Sequence, residues 1–189
     1  MNDTLAYQEE RREELIGGEI VMMAPASVGH TYVADSILVV FKRYLKGKKC
    51  IPFGGGLLVR LTDEDKFVPD VMVVCDHSKI KPNGIYGAPD LVVEVLSPST
   101  AKNDRGYKKD VYAKCGVREY WIVDSVSNSI EVYRLDGSAF VLYDVYVLRP
   151  DWELEAMSEE ERAAVATHFK CSLFADLDIS LEDIFDRTF

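Results

Sequence analysis

Apolar residues along the chain follow two periods, one typical of helices and one typical of strands. From residue 30 to residue 46 they recur every three or four positions, which predicts an amphipathic helix. Ser27 stands where a helix N-cap is expected, and Gly47 is a typical residue just after a helix end. Three apolar runs of strand length follow this helix, at residues 51–61, 67–75 and 91–96.

A second group of elements is predicted after the third strand. Residues 101–115 indicate a helix ended by Gly116, and residues 119–123 indicate a fourth strand. The other predicted elements are a short helix over the charged residues 7–14, a strand at 19–23, a hairpin of residues 130–134 and 140–148 around Asp136-Gly137, a helix from the capping-box pair Ser158 and Glu161 to about residue 168, and a short docked element at 179–185.

The predicted core order is helix, three strands, helix, strand (αβββαβ), which indicates an α/β or α+β fold. Residues 91–96 are apolar at nearly every position, as is typical of a strand covered on both faces. We therefore expect a central mixed β-sheet flanked by helices, in a single domain spanning residues 1–189. Residues 1–26 would add an N-terminal β extension, and residues 151–189 an acidic, helical C-terminal extension.

Composition narrows the class of protein. The chain is 48% hydrophobic and includes ten Tyr, eight Phe and two Trp, which excludes a disordered chain. Its apolar runs are too short to span a bilayer, and its N-terminus lacks the basic-then-apolar order of a secretion signal. We therefore expect a soluble, cytoplasmic protein whose four well-separated cysteines are reduced, mostly buried and not part of a zinc site.

The charge of the chain is acidic but unevenly distributed. Lys and Arg number 22 against 32 Asp and Glu, and the net charge of −10 argues against a nonspecific nucleic-acid coat. Residues 151–189 carry −8 of this charge and residues 1–150 only −2, while residues 102–118 contain six basic and two acidic residues. A local nucleic-acid site is therefore compatible with the acidic total.

Two acidic residues occur inside apolar strands. Asp70 lies in Val-Pro-Asp-Val-Met-Val-Val, and Glu94 lies in Leu-Val-Val-Glu-Val-Leu. A buried carboxylate costs several kcal/mol unless it is paired, protonated or bound to a metal. One such acid is commonly structural, whereas two on consecutive strands more often share a partner. Side chains on neighbouring strands lie about 4.5–5.5 Å apart, so Asp70 and Glu94 are able to chelate one ion.

The donor atoms of this pair favour a hard cation. Two carboxylates, water and a backbone carbonyl such as that of Val95 are suitable ligands for Mg²⁺, for which Mn²⁺ can substitute. No His or Cys favours zinc here. Asp90 lies roughly 13 Å from Glu94 along the same strand, so we expect it to cap the strand entry instead.

The predicted second helix supplies a further candidate group. Asp104, Lys108 and Tyr112 are spaced four residues apart and therefore share one helix face. One interpretation is a solvated salt-bridge face. The other is that Lys108 reaches the metal site, where it orients water or neutralises a phosphate.

These segments resemble those of a known family. The resemblance is carried by Val-Pro-Asp-Val, by Pro-Asp-Leu-Val-Val-Glu-Val-Leu-Ser-Pro-Ser-Thr, by Asp104-Arg105 with Lys108 and Tyr112, and by Gly-Val-Arg-Glu-Tyr-Trp-Ile-Val-Asp. All are similar to segments of the Uma-type restriction endonucleases, a bacterial family of the PD-(D/E)xK nuclease superfamily. The match runs from Gly18-Glu19-Ile20 to the closing Leu-Glu-Asp-Ile-Phe. It implies the restriction endonuclease-like fold and metal-dependent hydrolysis of phosphodiester bonds.

The resemblance also implies roles for individual positions. Pro69-Asp70 matches the PD position and Glu94 the (D/E) position, but Leu96 replaces the lysine of the ExK motif. Lys108 matches a lysine that this family carries on the following helix. His30 stands where related nucleases often place an acid that contacts metal or water, and its alternative role is to cap its own helix.

We therefore expect a Mg²⁺-dependent endonuclease that cuts DNA. The alternative is a catalytically inactive nuclease-fold module that binds nucleic acid or a partner protein. Cutting both strands of a duplex favours two-fold symmetry, so a homodimer is expected. The expected catalytic residues are Asp70, Glu94 and Lys108, and the expected accessory residues are His30, Asp104 and Tyr112.

Overall fold

The central sheet of the protein has six strands and is mixed. A computed structural model describes residues 13–187 of the chain. In this sheet β9 and β10 are parallel and all other neighbours are antiparallel. Its strands, in spatial order, are β12 (Ala139–Val147), β11 (Ser129–Asp136), β10 (Glu119–Asp124), β9 (Leu91–Val95), β6 (Val71–Val74) and β3 (Ile51–Gly54). The predicted fold class, a central mixed sheet with flanking helices, is confirmed.

The first face of the central sheet is covered by helix α1 (Val28–Leu45), as the sequence predicts. Its buried residues Val33, Ile37, Phe41 and Leu45 are spaced four apart and form one apolar stripe. The Ser27 side chain accepts a hydrogen bond from the amide of His30, which confirms the predicted N-cap.

A second six-stranded sheet covers the other face, together with two short helices. Its strands, in spatial order, are β2 (Glu19–Met22), β1 (Glu13–Ile16), β5 (Lys66–Phe67), β4 (Val59–Arg60), β8 (Gly84–Tyr86) and β7 (Ile80–Lys81). The helices are α2 (Ala101–Arg105) and α3 (Tyr107–Lys114). In the layer between the two sheets, Phe67 packs edge-on against Tyr112 and Tyr112 packs at a tilt against Tyr120, with ring centroids 5.3 and 5.4 Å apart.

The remaining α-helices and strands lie C-terminal to β12 in the chain. They are α4 (Asp151–Ala156), α5 (Glu159–Ala163), the antiparallel pair β13 (His168–Lys170) and β14 (Asp178–Ser180), and α6 (Leu181–Phe185). The capping box of Ser158 and Glu161 is confirmed, but α5 ends at Ala163 rather than near residue 168. Phe169, Ile179 and Ile184 belong to the same buried cluster as α1, so this segment completes the first face.

Several predicted elements are divided in the structure. The predicted strand at 67–75 is split by Val68-Pro69-Asp70 into β5 and β6, which lie in different sheets. Pro69 cannot donate to a strand ladder, which favours a break at this position. The predicted helix at 101–115 is broken into α2 and α3 at Gly106, whose φ of −117° and ψ of −104° are not helical.

The N-terminal prediction is also changed. Residues 7–12 of the predicted helix lie outside the described residues, and Glu13 and Glu14 begin strand β1 instead. Gly17 and Gly18, with φ of 58° and 81°, form a two-residue turn that pairs β1 with β2. Two positive φ angles in such a turn match the twist of a hairpin, which explains why both residues are glycine.

The expectation of four reduced cysteines is wrong for Cys50 and Cys75, which form a disulfide. The antiparallel register of β3 and β6 pairs Ile51 with Val74, so the next residues outward lie opposite each other, with Cα atoms 4.0 Å apart. Cys115 and Cys171 are free thiols. Within residues 13–187, no helix is long and apolar enough to cross a membrane.

Candidate nuclease site

Asp70 and Glu94 meet where β6 and β9 separate. The last pair of the antiparallel ladder is Val71 with Val93, so the next residues outward are Asp70 and Glu94. Instead of a further backbone pair, the Asp70 carboxylate accepts a hydrogen bond of 2.8 Å from the amide of Val95. The structure thus brings the two predicted acids to the same end of neighbouring strands.

Glu94 is buried on the face that α3 covers. Its Oε1 accepts a hydrogen bond of 2.9 Å from the Tyr112 hydroxyl and lies 2.8 Å from the ammonium of Lys108. Burial raises the pKa of Glu94 well above its usual value, although the charge of Lys108 opposes this shift.

Lys108 is only 3% exposed, and three carboxylates surround its ammonium group. Its Nζ lies 2.8 Å from Glu94, 3.1 Å from Glu14 and 3.3 Å from Asp104. Burial alone would lower the pKa of Lys108, but the charges of Glu94 and then Glu14 outweigh it and raise that pKa. These charges favour the protonated form of Lys108 in the protein interior.

The predicted shared face of Asp104, Lys108 and Tyr112 exists and is buried rather than solvated. Asp104 and Lys108 form the ion pair expected at a spacing of four, and Tyr112 joins them through Glu94. Asp104 is 2% exposed, and its Oδ1 has no hydrogen bond of good geometry although Lys108 lies 3.3 Å away. Burial raises the pKa of Asp104. The burial excludes the interpretation as a solvated salt-bridge face.

His30 lies in the first turn of α1 and points at Asp70. Its Nε2 is 3.2 Å from Oδ2 of Asp70, while its Nδ1 is buried without a partner. Burial would lower the pKa of His30, but the hydrogen bond to Asp70 raises it overall, with a further contribution from the backbone of Val95. Since Ser27 caps the helix with its own side chain, the imidazole does not serve as the cap.

Glu14 is a site residue that the sequence analysis missed. It lies on β1, is 5% exposed, and contacts Lys108. Its signal in the sequence was of the same kind as that of Asp70 and Glu94, namely an acid joined to an apolar strand segment, here Leu15 and Ile16. It was overlooked because residues 7–14 were interpreted as a charged helix.

Four further residues have structural roles, and the role of Asp90 is the expected one. Asp90 accepts a hydrogen bond from the amide of Cys75 and pairs with Arg118, at the entry of β9. Tyr120 and Trp121 are fully buried core residues. Asp124 accepts hydrogen bonds from the amides of the turn after β10.

The residues at this strand end fit a hard divalent cation in their donor chemistry. The site contains more carboxylates than positively charged side chains. Three carboxylates surround Lys108, and Asp70 lies nearby. Within residues 13–187, however, no group of three or more His, Cys, Asp or Glu side chains is arranged to hold a metal. Protein ligands would thus be Asp70, Glu94 and the carbonyl of Val95, completed by water.

Access to the site is one-sided. The side chains of His30 and Asp70 are 13% and 19% exposed, whereas those of Glu94 and Lys108 are each 4% exposed. Among the described residues, the side of this cluster that solvent reaches is therefore the side of His30 and Asp70.

Known proteins resemble this chain in sequence and in fold. A family model for Uma2, described as "Putative restriction endonuclease", matches residues 2–165. An uncharacterized protein of Synechocystis, slr1290, is 33% identical over 144 residues, which are 73% of this chain and 76% of that protein. The crystal structure of a "putative nuclease belonging to DUF820" from Anabaena variabilis superposes with a TM-score of 0.70 at 22% identity, covering 94% of this chain and 92% of the other.

Proposed function

Because the chain belongs to the Uma2 family, we propose that it is a Mg²⁺-dependent endonuclease that hydrolyses phosphodiester bonds in DNA. The family description and the nuclease fold support the reaction class. The observation that carries the proposal is the meeting of Asp70 and Glu94 at one strand end, beside a buried lysine. Such nucleases usually use a divalent metal ion, which here would be Mg²⁺ or Mn²⁺.

Each residue has a distinct task in this proposal. Asp70 and Glu94, with the carbonyl of Val95, would hold the cation, which when bound polarises a phosphate oxygen and lowers the pKa of a water molecule. Lys108 opposes the rise in the pKa of Glu94 that burial causes, and it would place a positive charge near the phosphate on which negative charge develops. His30 is partly exposed beside Asp70 and would contact the attacking water or the substrate.

Asp104 and Tyr112 act as accessory residues. The Tyr112 hydroxyl donates a hydrogen bond to Glu94 and so fixes the orientation of that carboxylate. Asp104, which lies on α2, forms an ion pair with Lys108 on α3. Neither is expected to touch the substrate, because both are buried.

Cleavage of supercoiled plasmid DNA tests the proposal. Nicking or linearisation is expected with Mg²⁺ or Mn²⁺ and is expected to stop on chelation. Asp70→Asn and Glu94→Gln, which preserve side-chain shape, should each lower the rate about a hundredfold or more. Asp63→Asn, at an exposed turn position, is the matched control and should cleave like the wild type. Equal cleavage by all variants would refute the assignment.

The burial of Lys108 favours one alternative, a catalytically inactive module that binds nucleic acid or a partner protein. In that module Lys108, which is held by three carboxylates, would balance charge inside the fold and have no catalytic task. Thermal unfolding with added Mg²⁺ separates the two functions, since a ligand that binds the native state raises the melting temperature. A rise in the wild type that is lost in Asp70→Asn supports the metal enzyme, and its absence in both favours the inactive module.

A homodimer is part of the same proposal. Two copies related by two-fold symmetry would present two sites to the two strands of a duplex. Sedimentation analysis of the purified protein is expected to show twice the mass of the 21.3 kDa chain. A monomer at micromolar concentration, with and without DNA, would contradict the dimer and predict nicking rather than double-strand cleavage.

A further inference from the structure

Glu14 connects two parts of the site that lie on different elements. Its two carboxylate oxygens are 3.1 and 3.4 Å from Nζ of Lys108, which α3 carries. Its Oε1 also accepts a hydrogen bond of 2.7 Å from the amide of Val68. Val68 directly precedes Pro69-Asp70, and because Pro69 has no N–H, the amide of Val68 is the last backbone donor before Asp70.

We propose that Glu14 is a positioning residue that sets the spacing between Lys108 and the segment that carries Asp70. The inference rests on the proposed nuclease function and adds the N-terminal hairpin to the catalytic centre. Strand pairing holds Glu14 in place, because Leu15 of β1 pairs with Lys66 of β5. This register places Phe67 opposite Glu14, so that Val68 is the next residue along, just beyond the end of β5.

Charge balance argues against a purely structural role for Glu14. Lys108 already has two carboxylate partners, Glu94 and Asp104, so a third buried carboxylate adds uncompensated negative charge. The amide of Val68 needs only an acceptor, which a neutral amide side chain would provide equally well. The negative charge of Glu14 is therefore explained by its interaction with Lys108 and not by the hydrogen bond from the amide of Val68.

Glu14→Gln separates the two contacts. The glutamine carbonyl can still accept from the amide of Val68, whereas the charge that holds Lys108 is lost. Acetylation of lysines in the metal-free protein, followed by mass spectrometry, measures how accessible each side-chain amine is to the reagent. Labelling of Lys108 is expected to rise about tenfold in Glu14→Gln. The matched control is Glu13→Gln, an exposed neighbour on the same strand, in which Lys108 should stay protected.

Labelling of the exposed Lys102 serves as an internal standard for the extent of the reaction, and urea unfolding of each variant measures general loosening of the fold. Glu14→Asp, which keeps the charge but shortens the side chain by one methylene, is a second variant with an expected intermediate effect. In cleavage assays, kcat should fall in the order wild type, Glu14→Asp, Glu14→Gln, with KM nearly unchanged because Glu14 does not touch the substrate.

The outcomes distinguish this inference from the proposed function. Wild-type protection of Lys108 in both variants would overturn the positioning role, whether or not the protein cleaves DNA. Increased labelling of Lys108, relative to Lys102, supports the role even if the wild type shows no nuclease activity, in which case only the proposed function fails. Increased labelling with an unchanged kcat would overturn the catalytic importance of the position.

Discussion

At the scale of single residues, the most informative feature is one ammonium held by three buried carboxylates. Replacing a buried ion pair by apolar residues is often tolerated, whereas removal of a single partner leaves an uncompensated charge. The arrangement around Lys108 therefore contributes little to net stability but makes the protein sensitive to loss of the lysine. Asp70 and His30 lie at the exposed edge of this charge cluster, where a substrate can arrive.

Lys108→Met should destabilise the protein by about 3–5 kcal/mol, since it leaves Glu14, Glu94 and Asp104 without their counter-charge. Urea unfolding measured by circular dichroism checks this value. Lys102→Met, at an exposed position of the neighbouring α2, should stay within about 0.5 kcal/mol of the wild type. A loss of similar size in both variants would show that the charge cluster is not the cause.

Tyr133 gives a prediction for alkaline pH. Burial and the hydrogen bond to Glu131 raise the pKa of Tyr133 to about 12. In the unfolded chain the phenol ionises near pH 10, so between about pH 10 and about pH 12 the native state binds more protons than the unfolded state. The free energy of unfolding should therefore fall as pH rises through this window.

Tyr133→Phe should make that fall shallower, and urea unfolding at several alkaline pH values measures it. Tyr143→Phe is the matched control, because Tyr143 on the neighbouring strand is 53% exposed and should leave the slope unchanged. Identical slopes in all three proteins would contradict the predicted contribution of Tyr133.

At the scale of elements, short breaks decide which sheet each strand joins. The break at Val68-Pro69-Asp70 passes the chain from the second sheet to the central sheet and puts Asp70 at the strand entry. The break at Gly106 separates α2 from α3, and Asp104 and Lys108 nevertheless keep their ion pair across it. Both interruptions lie next to candidate catalytic residues.

Gly84→Ala tests a close approach between elements of the second sheet. Gly84 has φ of 135°, and an added Cβ would lie 2.3 Å from the carbonyl oxygen of Leu58. Because that oxygen belongs to the backbone and also accepts from the amide of Ile85, it cannot move aside. The variant should lose about 3 kcal/mol or more in urea unfolding.

Gly116→Ala is the control for Gly84→Ala. Gly116 also has a positive φ, of 91°, but an added Cβ would meet nothing within 4 Å. Its expected loss is about 1–2 kcal/mol, the cost of the left-handed conformation alone. Equal losses in the two variants would show that the contact with Leu58 contributes nothing.

At the scale of the whole molecule, the acidic C-terminal segment is part of the core. Phe169 is 3% exposed and packs with ring centroids 5.0 Å from Trp121 and 4.9 Å from Tyr146. The fully buried Glu119 of β10 also accepts a hydrogen bond of 2.8 Å from the amide of Ser172. The segment that carries the −8 charge therefore also contributes residues, Phe169 among them, that close one face of the central sheet.

Phe169→Ala should accordingly cost about 3–5 kcal/mol, as expected for truncation of a buried aromatic side chain. His168→Ala, at the exposed preceding position of the same strand, should change stability by no more than about 0.5 kcal/mol. Thermal unfolding of both variants measures the difference. A Phe169→Ala protein as stable as the wild type would mean that the segment does not stabilise the core.

The sequence by itself determined the elements and residues whose signals are local. The period and caps of α1, the capping box of Ser158, and the acids Asp70 and Glu94 within apolar strands are all written within a few consecutive residues. The sequence also predicts that Asp70 and Glu94 lie close together, because the two predicted strands that carry them, 67–75 and 91–96, follow one another and are expected to pair. The family resemblance points to the same two residues.

Only the tertiary structure decided the contacts between distant residues. Glu14 and Lys108 are 94 positions apart, and the pairing of Cys50 with Cys75 depends on the register of β3 and β6. The same holds for the burial of the Asp104 and Lys108 face, which the second sheet covers. Helical and strand periods encode which side of an element is apolar, but not which element will cover it. That choice is made by the packing of the whole chain, and it is there that Lys108 acquires its third carboxylate.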